Sequence, residues 1–166
     1  ASDVYKRQGH TSDYAYDGDG RQTLAIQGAG TASAATTSST YDGAGNVLLS
    51  VDGDGHSTSY AYDGDGNQTL AIQGYGTTAA STTSYAYDAD GNQTLAIQGY
   101  GTAAASTTSY GYDGDGNQTL TIQGYGTTAA VWSLSSYDGD GNVIQQRDAD
   151  GHLSDYAYDA RGEQTL

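Results

Sequence analysis

The stretch Ser59-Tyr60-Ala61-Tyr62-Asp63-Gly64-Asp65-Gly66-Asn67-Gln68-Thr69-Leu70-Ala71-Ile72-Gln73 decides how the rest of the chain is read. Tyr60 and Tyr62 share one parity, as do Leu70 and Ile72, and a side-chain period of two is that of a β-strand. Between the two runs lies Asp63-Gly64-Asp65-Gly66, a four-residue connection of turn formers. Gly supplies positive φ there and Asp bonds its own backbone. The stretch therefore predicts a hairpin. Tyr60, Tyr62, Leu70 and Ile72 are expected to form its buried stripe, with Ala61, Thr69, Ala71 and Gln73 on the other face.

Outward from this hairpin the sequence repeats itself. The Tyr-x-Tyr-Asp starts at Tyr60, Tyr85 and Tyr110 lie 25 residues apart, whereas Tyr41 and Tyr62 are separated by 21. The difference is one connection: Val51-Asp52-Gly53-Asp54-Gly55-His56 stands where the longer units carry the Gln73-Gly74-Tyr75-Gly76-Thr77-Thr78-Ala79-Ala80-Ser81 type. A cassette of 96 residues overlies both spacings, aligning Tyr14 with Tyr110, Tyr41 with Tyr137, His56 with His152 and Tyr60 with Tyr156. Consecutive hairpins added edge to edge predict an all-β fold, a repeat array of antiparallel β-hairpins forming one continuous sheet. No segment carries the 3.6-residue apolar period of a helix.

Composition sets limits on function. Leu, Ile, Val and Phe supply only 19 of the 166 residues, too few for a conventional aliphatic core. Strict alternation and 16 Tyr argue against disorder, because a Tyr ring buries much apolar area while its hydroxyl stays in water. The formal charge of -15 opposes binding to nucleic acid, whose phosphates need Lys and Arg. No run approaches the length of a membrane span, and without Cys there is no disulfide, thiolate site or thiol nucleophile.

The motif Tyr41-Asp42-Gly43-Ala44-Gly45-Asn46, then Asp52-Gly53-Asp54-Gly55, then Tyr60-Ala61-Tyr62-Asp63, resembles the tyrosine-aspartate (YD) repeat of Rhs and teneurin-like proteins. It returns at Tyr137-Asp138-Gly139-Asp140-Gly141-Asn142, Asp148-Ala149-Asp150-Gly151 and Tyr156-Ala157-Tyr158-Asp159-Ala160-Arg161-Gly162. The resemblance implies a ribbon of hairpins that coils into a shell on a secreted or cell-surface protein. The 25-residue units depart from it by lacking the second Asp-x-x-Gly. Residues 1–8 are read as an artefactual or disordered N-terminus and 9–166 as a single hairpin array, a fragment of a longer one. Further copies of the repeat, in cis or head-to-tail, are the expected partners, because sheet edges recruit other strands.

Calcium is the sharpest chemical candidate. Asp63, Asp65 and Asn67, Asp88, Asp90 and Asn92, and Asp113, Asp115 and Asn117 place oxygens at alternate positions, as hard cations require, and Asp138, Asp140 and Asn142 repeat the pattern. Gly at the fourth place and the lack of a bidentate Glu exclude an EF-hand, and Asp-Gly turns need no metal. Otherwise no cofactor is expected. His10, His56 and His152 share one repeat position after a turn Gly, and no nucleophile or zinc motif accompanies them, so no catalytic residue is assigned and the chain is read as a non-enzyme. Asn67, Asn92 and Asn117 head formal N-glycosylation sequons. Two functions follow: a structural β-repeat segment acting as scaffold, fibre or shell wall, or an extracellular binding module. The second would use Tyr75, Tyr100 and Tyr125 as stacking platforms for carbohydrate, or the Asp turns for calcium. At the position matching Tyr75 the first cassette has Ala29.

Overall fold

The computed structural model describes residues 2–7 and 10–165, with side chains from residue 11 onward. Among the described residues there are fourteen strands and no helix, and the strands stand in the sheet in chain order with antiparallel pairing. The chain divides into two compact units, Ala1–Thr83 and Ser84–Leu166.

The first unit holds β1 (Ser2–Arg7), β2 (His10–Tyr16), β3 (Gln22–Gln27), β4 (Ala35–Tyr41), β5 (Val47–Val51), β6 (Ser57–Tyr62) and β7 (Gln68–Gln73). Residues on both sides of the division belong to β8 (Ser81–Tyr87). The second unit holds β9 (Gln93–Gln98), β10 (Ser106–Tyr112), β11 (Gln118–Gln123), β12 (Val131–Tyr137), β13 (Val143–Arg147) and β14 (Leu153–Asp155). The array is thus all-β, with hairpins where the alternation places them. Of the N-terminal segment, residues 2–7 run as β1 against β2, while Ala1 and Gln8 lie outside the described residues. The last Tyr-x-Tyr segment is reduced to a bridge between Tyr158 and Gln164, supported by the Thr165 amide on the Ala157 carbonyl at 2.7 Å.

The stripe read from the sequence does not form. At the turn end of the β6–β7 hairpin Tyr62 stands opposite Gln68, a register that would continue with Tyr60 opposite Leu70. A register shift between Ala61 and Tyr62 intervenes, so that Ala61 faces Leu70, Ser59 faces Ile72 and Tyr60 faces Ala71. Directly opposed residues share a face, and one extra residue exchanges the faces. Leu70 and Ile72 therefore lie on the face away from Tyr60. The same shift occurs between Ala15 and Tyr16, Thr40 and Tyr41, Gly111 and Tyr112, and Ser136 and Tyr137.

Neither face becomes an interior. Ala25, 6% exposed, is the one buried hydrophobic residue among those described, and Tyr60, Tyr62, Leu70 and Ile72 are all only half-buried. Within each unit, among the described residues, the paired strands make contacts only with their neighbours in the sheet. Cohesion rests on the backbone ladder and on cross-strand pairs. In the second unit these include Ile122 opposite Trp132 and Leu120 opposite Leu134, with Arg147 next in line and its guanidinium 4.7 Å from the Trp132 ring centroid.

Candidate functional site

Connections alternate between two rims of the sheet. One rim carries the Asp turns that precede the Gln-Thr-Leu strands. In Asp63–Asn67 the Gly66 amide donates to the Asp63 carbonyl at 3.2 Å and the Asp63 amide to the Asn67 carbonyl at 3.0 Å, with Gly66 at φ 87°. This is the three-residue hairpin connection that ends in a left-handed Gly. The Asp63 carboxylate completes it: Oδ1 accepts the amides of Asp65 at 3.1 Å and Asn67 at 2.8 Å, and Oδ2 accepts the Asn67 side-chain amide at 3.1 Å. Asp88 with Asp90 and Asn92, and Asp113 with Asp115 and Asn117, repeat the arrangement.

The structure thus brings each set of calcium candidates together, but the leading Asp spends its oxygens on three protein donors, and the Asn presents its NH₂ rather than its oxygen. Those bonds hold the leading carboxyl below its ordinary pKa. The side-chain amide leads at Asp42, Asp63, Asp113 and Asp138, and the Asn92 backbone amide leads at Asp88. The side-chain nitrogens of the sequon residues Asn67, Asn92 and Asn117 are the donors in these bonds.

The fifth turn position emerges as a donor position. Arg21 fills it in Asp17–Arg21, with Nε on Asp17 at 2.7 Å, one terminal nitrogen on Asp19 at 2.6 Å and the other on the Asp42 carbonyl at 3.0 Å. His56 and His152 fill it on the opposite rim, their Nδ1 atoms 3.2 and 3.1 Å from Asp52 and Asp148. These histidines form exposed groups, Asp52 with Asp54 and His56 and Asp148 with Asp150 and His152, whose ligand-type atoms lie within 4.8 Å of one another. The sequence reading set the histidines aside as positional; their four-residue offset from Asp was the available signal. The side chain of His10 lies outside the described residues.

A second element missed from sequence is a tyrosine clamp. The hydroxyls of Tyr41, Tyr112 and Tyr137 donate to the carbonyls of Gln22, Gln93 and Gln118 at 2.9, 2.9 and 2.7 Å, each nineteen residues back in the preceding hairpin. The Tyr that directly precedes the turn Asp thus ties its own strand to the start of the previous one. Partial burial raises the hydroxyl pKa of Tyr112, and of Tyr62 likewise.

On the other rim the long connections hold Tyr75, Tyr100 and Tyr125, each 51% exposed. Tyr75 donates its amide to the Ser57 carbonyl at 2.9 Å, and Tyr125 to the Thr107 carbonyl at 3.0 Å. At the position of Tyr75, Ala29 makes the same backbone bond to Thr11, so the loop keeps its course without the ring.

A sheet built from recurrent Tyr-x-Tyr-Asp hairpins, each closed by an Asp-capped turn, defines a hairpin-repeat protein. Residues 41–78 and 137–166 match the RHS Repeat family model, so these two stretches carry Rhs (tyrosine-aspartate) repeats. Comparison with curated proteins gives no match. Among solved structures, the TcdB2-TccC3-Cdc42 crystal structure is similar at a TM-score of 0.69 and 19% identity over 93% of this chain. The TcdB2-TccC3 crystal structure is similar at 0.72 and 18% over 90%, and TcdB2-TccC3-TEV at 0.60 and 14% over 98%. This chain spans 8%, 9% and 11% of those chains, and at such identity the likeness is one of fold.

Proposed function

We propose that the chain is a non-catalytic structural segment, one stretch of the wall of a larger Rhs-type hairpin-repeat protein that is secreted or displayed at a cell surface. The observation that carries this reading is the missing interior: Ala25 alone is buried among the described hydrophobic residues, while hydrogen-bonded strands make up about half of the chain. A sheet with two half-covered faces spends its sequence on continuity rather than on a pocket. The turns support the same reading, since the leading Asp and the Asn of each bond to one another and to the turn backbone, holding the hairpins closed. The partners that fit are further repeats adjoining the sheet in the same polypeptide. Electron microscopy of the full-length native protein tests the proposal. A continuous repeat wall, closed or extended, is the expected result, whereas a compact domain folded around a bound small molecule would overturn it.

A further inference from the structure

Among the described residues, two turns bring carboxylates and an imidazole to a common point: Asp52 with Asp54 and His56, and Asp148 with Asp150 and His152. The backbone builds both. Asp52 Oδ1 accepts the amides of Asp54 at 3.0 Å and His56 at 2.9 Å, which fixes the carboxylate, and Oδ2 lies 3.2 Å from His56 Nδ1. Asp148 repeats the arrangement at 3.0, 2.8 and 3.1 Å. In each turn a ligand-type atom of all three side chains lies within 4.8 Å of the other two.

That spacing is close to a coordination sphere. Two donors held about 2.0–2.1 Å from one ion stand about 2.8–3.4 Å apart, from octahedral to tetrahedral geometry. The Oδ2–Nδ1 pair therefore takes an ion with little movement of the turn, once the ring proton sits on Nε2. Other turns with the same acidic pair lack this. At Asp63–Asn67 the fifth residue turns an NH₂ toward Asp63 Oδ2, and at Asp17–Arg21 a guanidinium occupies both carboxylates at 2.7 and 2.6 Å. Neither group has a lone pair to give. The imidazole, rather than the acidic residues, marks the site.

The donor set selects the ion. Imidazole nitrogen suits zinc, nickel and copper, whereas calcium and magnesium take oxygen. The net charge of -15 favours any cation near the chain. Surroundings then distinguish the two turns. Arg147 lines the same hollow as Asp148 and His152, with a terminal nitrogen 3.4 Å from where a β-carbon on Gly151 would stand. The residue matching it ahead of Asp52 is Val51. A fixed cation repels a second one. His10 follows Lys6 at the same four-residue offset and so lacks the acidic partner in sequence. We infer that Asp52, Asp54 and His56 bind a late first-row divalent metal ion such as zinc, and that the Asp148 turn binds it more weakly.

The test titrates zinc chloride into the whole chain at about pH 7.5, following histidine-ring and backbone amide chemical shifts. Saturation at His56 with a Kd of about 10–100 µM is expected, with His152 responding at about tenfold higher zinc and His10 following neither. His56→Asn gives the turn the fifth residue of Asp63–Asn67, so it keeps the strand circular dichroism while the zinc response there disappears. Arg147→Val brings the two turns to within about threefold of each other. Calcium at about a hundredfold excess leaves zinc binding unchanged. No saturation at His56 below about 1 mM zinc overturns the proposal. Equal responses at His10 and His56, a zinc response that survives His56→Asn at that turn, or displacement of zinc by calcium do so as well.

Discussion

At the scale of single residues the Asp turns divide their glycines into two kinds. Gly66 sits at φ 87° with open space where a β-carbon would go, so Gly66→Ala meets no clash and its effect is conformational alone, a loss of about 1 kcal/mol. Gly64 also has open space but no positive φ, and Ala89 occupies the matching place in a later copy. Gly64→Ala is therefore expected to be neutral, and urea unfolding of the two variants checks the contrast. The turn carboxylates make a second prediction. Asp42, Asp63, Asp88, Asp113 and Asp138 have folded-state pKa values below the ordinary 3.8, so the unfolded chain takes up their protons first as acid is added. Their contribution is present in full above the ordinary carboxylate range and disappears as pH falls through the lowered values. The thermal midpoint should hold between about pH 7 and 5 and fall below about pH 4, and replacing all five by Asn should reduce that fall.

At the scale of strands, the register is the feature that alternation left open. Alternation fixes which residues on one strand share a face, but not which face the next strand matches to it, and one residue of bulge reverses the answer. That is why the hairpins were legible in Tyr60–Tyr62 and Leu70–Ile72 while the stripe joining them was not. The clamp from Tyr41, Tyr112 and Tyr137 was hidden for a related reason: its acceptor is a backbone carbonyl, which no side-chain pattern reveals. The calcium candidates were legible as clusters because spacing alone groups them, yet their hydrogen-bond donors are amides of the same turn. Double-mutant cycles test the register directly. Ile122 and Trp132 face each other across β11 and β12 and should couple by about 0.5 kcal/mol. Tyr110 stands opposite Thr121, so Tyr110 and Leu120 should couple negligibly; a strong coupling there would restore the single stripe.

At the scale of the molecule, a sheet without an interior distributes its stability among neighbouring strands, as in other repeat proteins. Excision of residues 85–109, one 25-residue unit, joins Ser84 to Tyr110 and recreates a junction of the existing type. The shortened chain should keep the strand spectrum of the remainder, and its denaturant m-value should drop by about a seventh, in proportion to chain length. Loss of all cooperative unfolding would show instead that the repeats depend on one global nucleus.

The register shift before Tyr16, Tyr41, Tyr62, Tyr112 and Tyr137 has a genetic consequence. Asn67 to Thr77 and Asn92 to Thr102 are identical, so the coding segments behind them invite misaligned recombination. In most sheets a gained or lost segment would scramble every strand downstream. Here each hairpin resets its own alignment at its turn, so whole units can be duplicated or dropped while the flanking strands keep their partners.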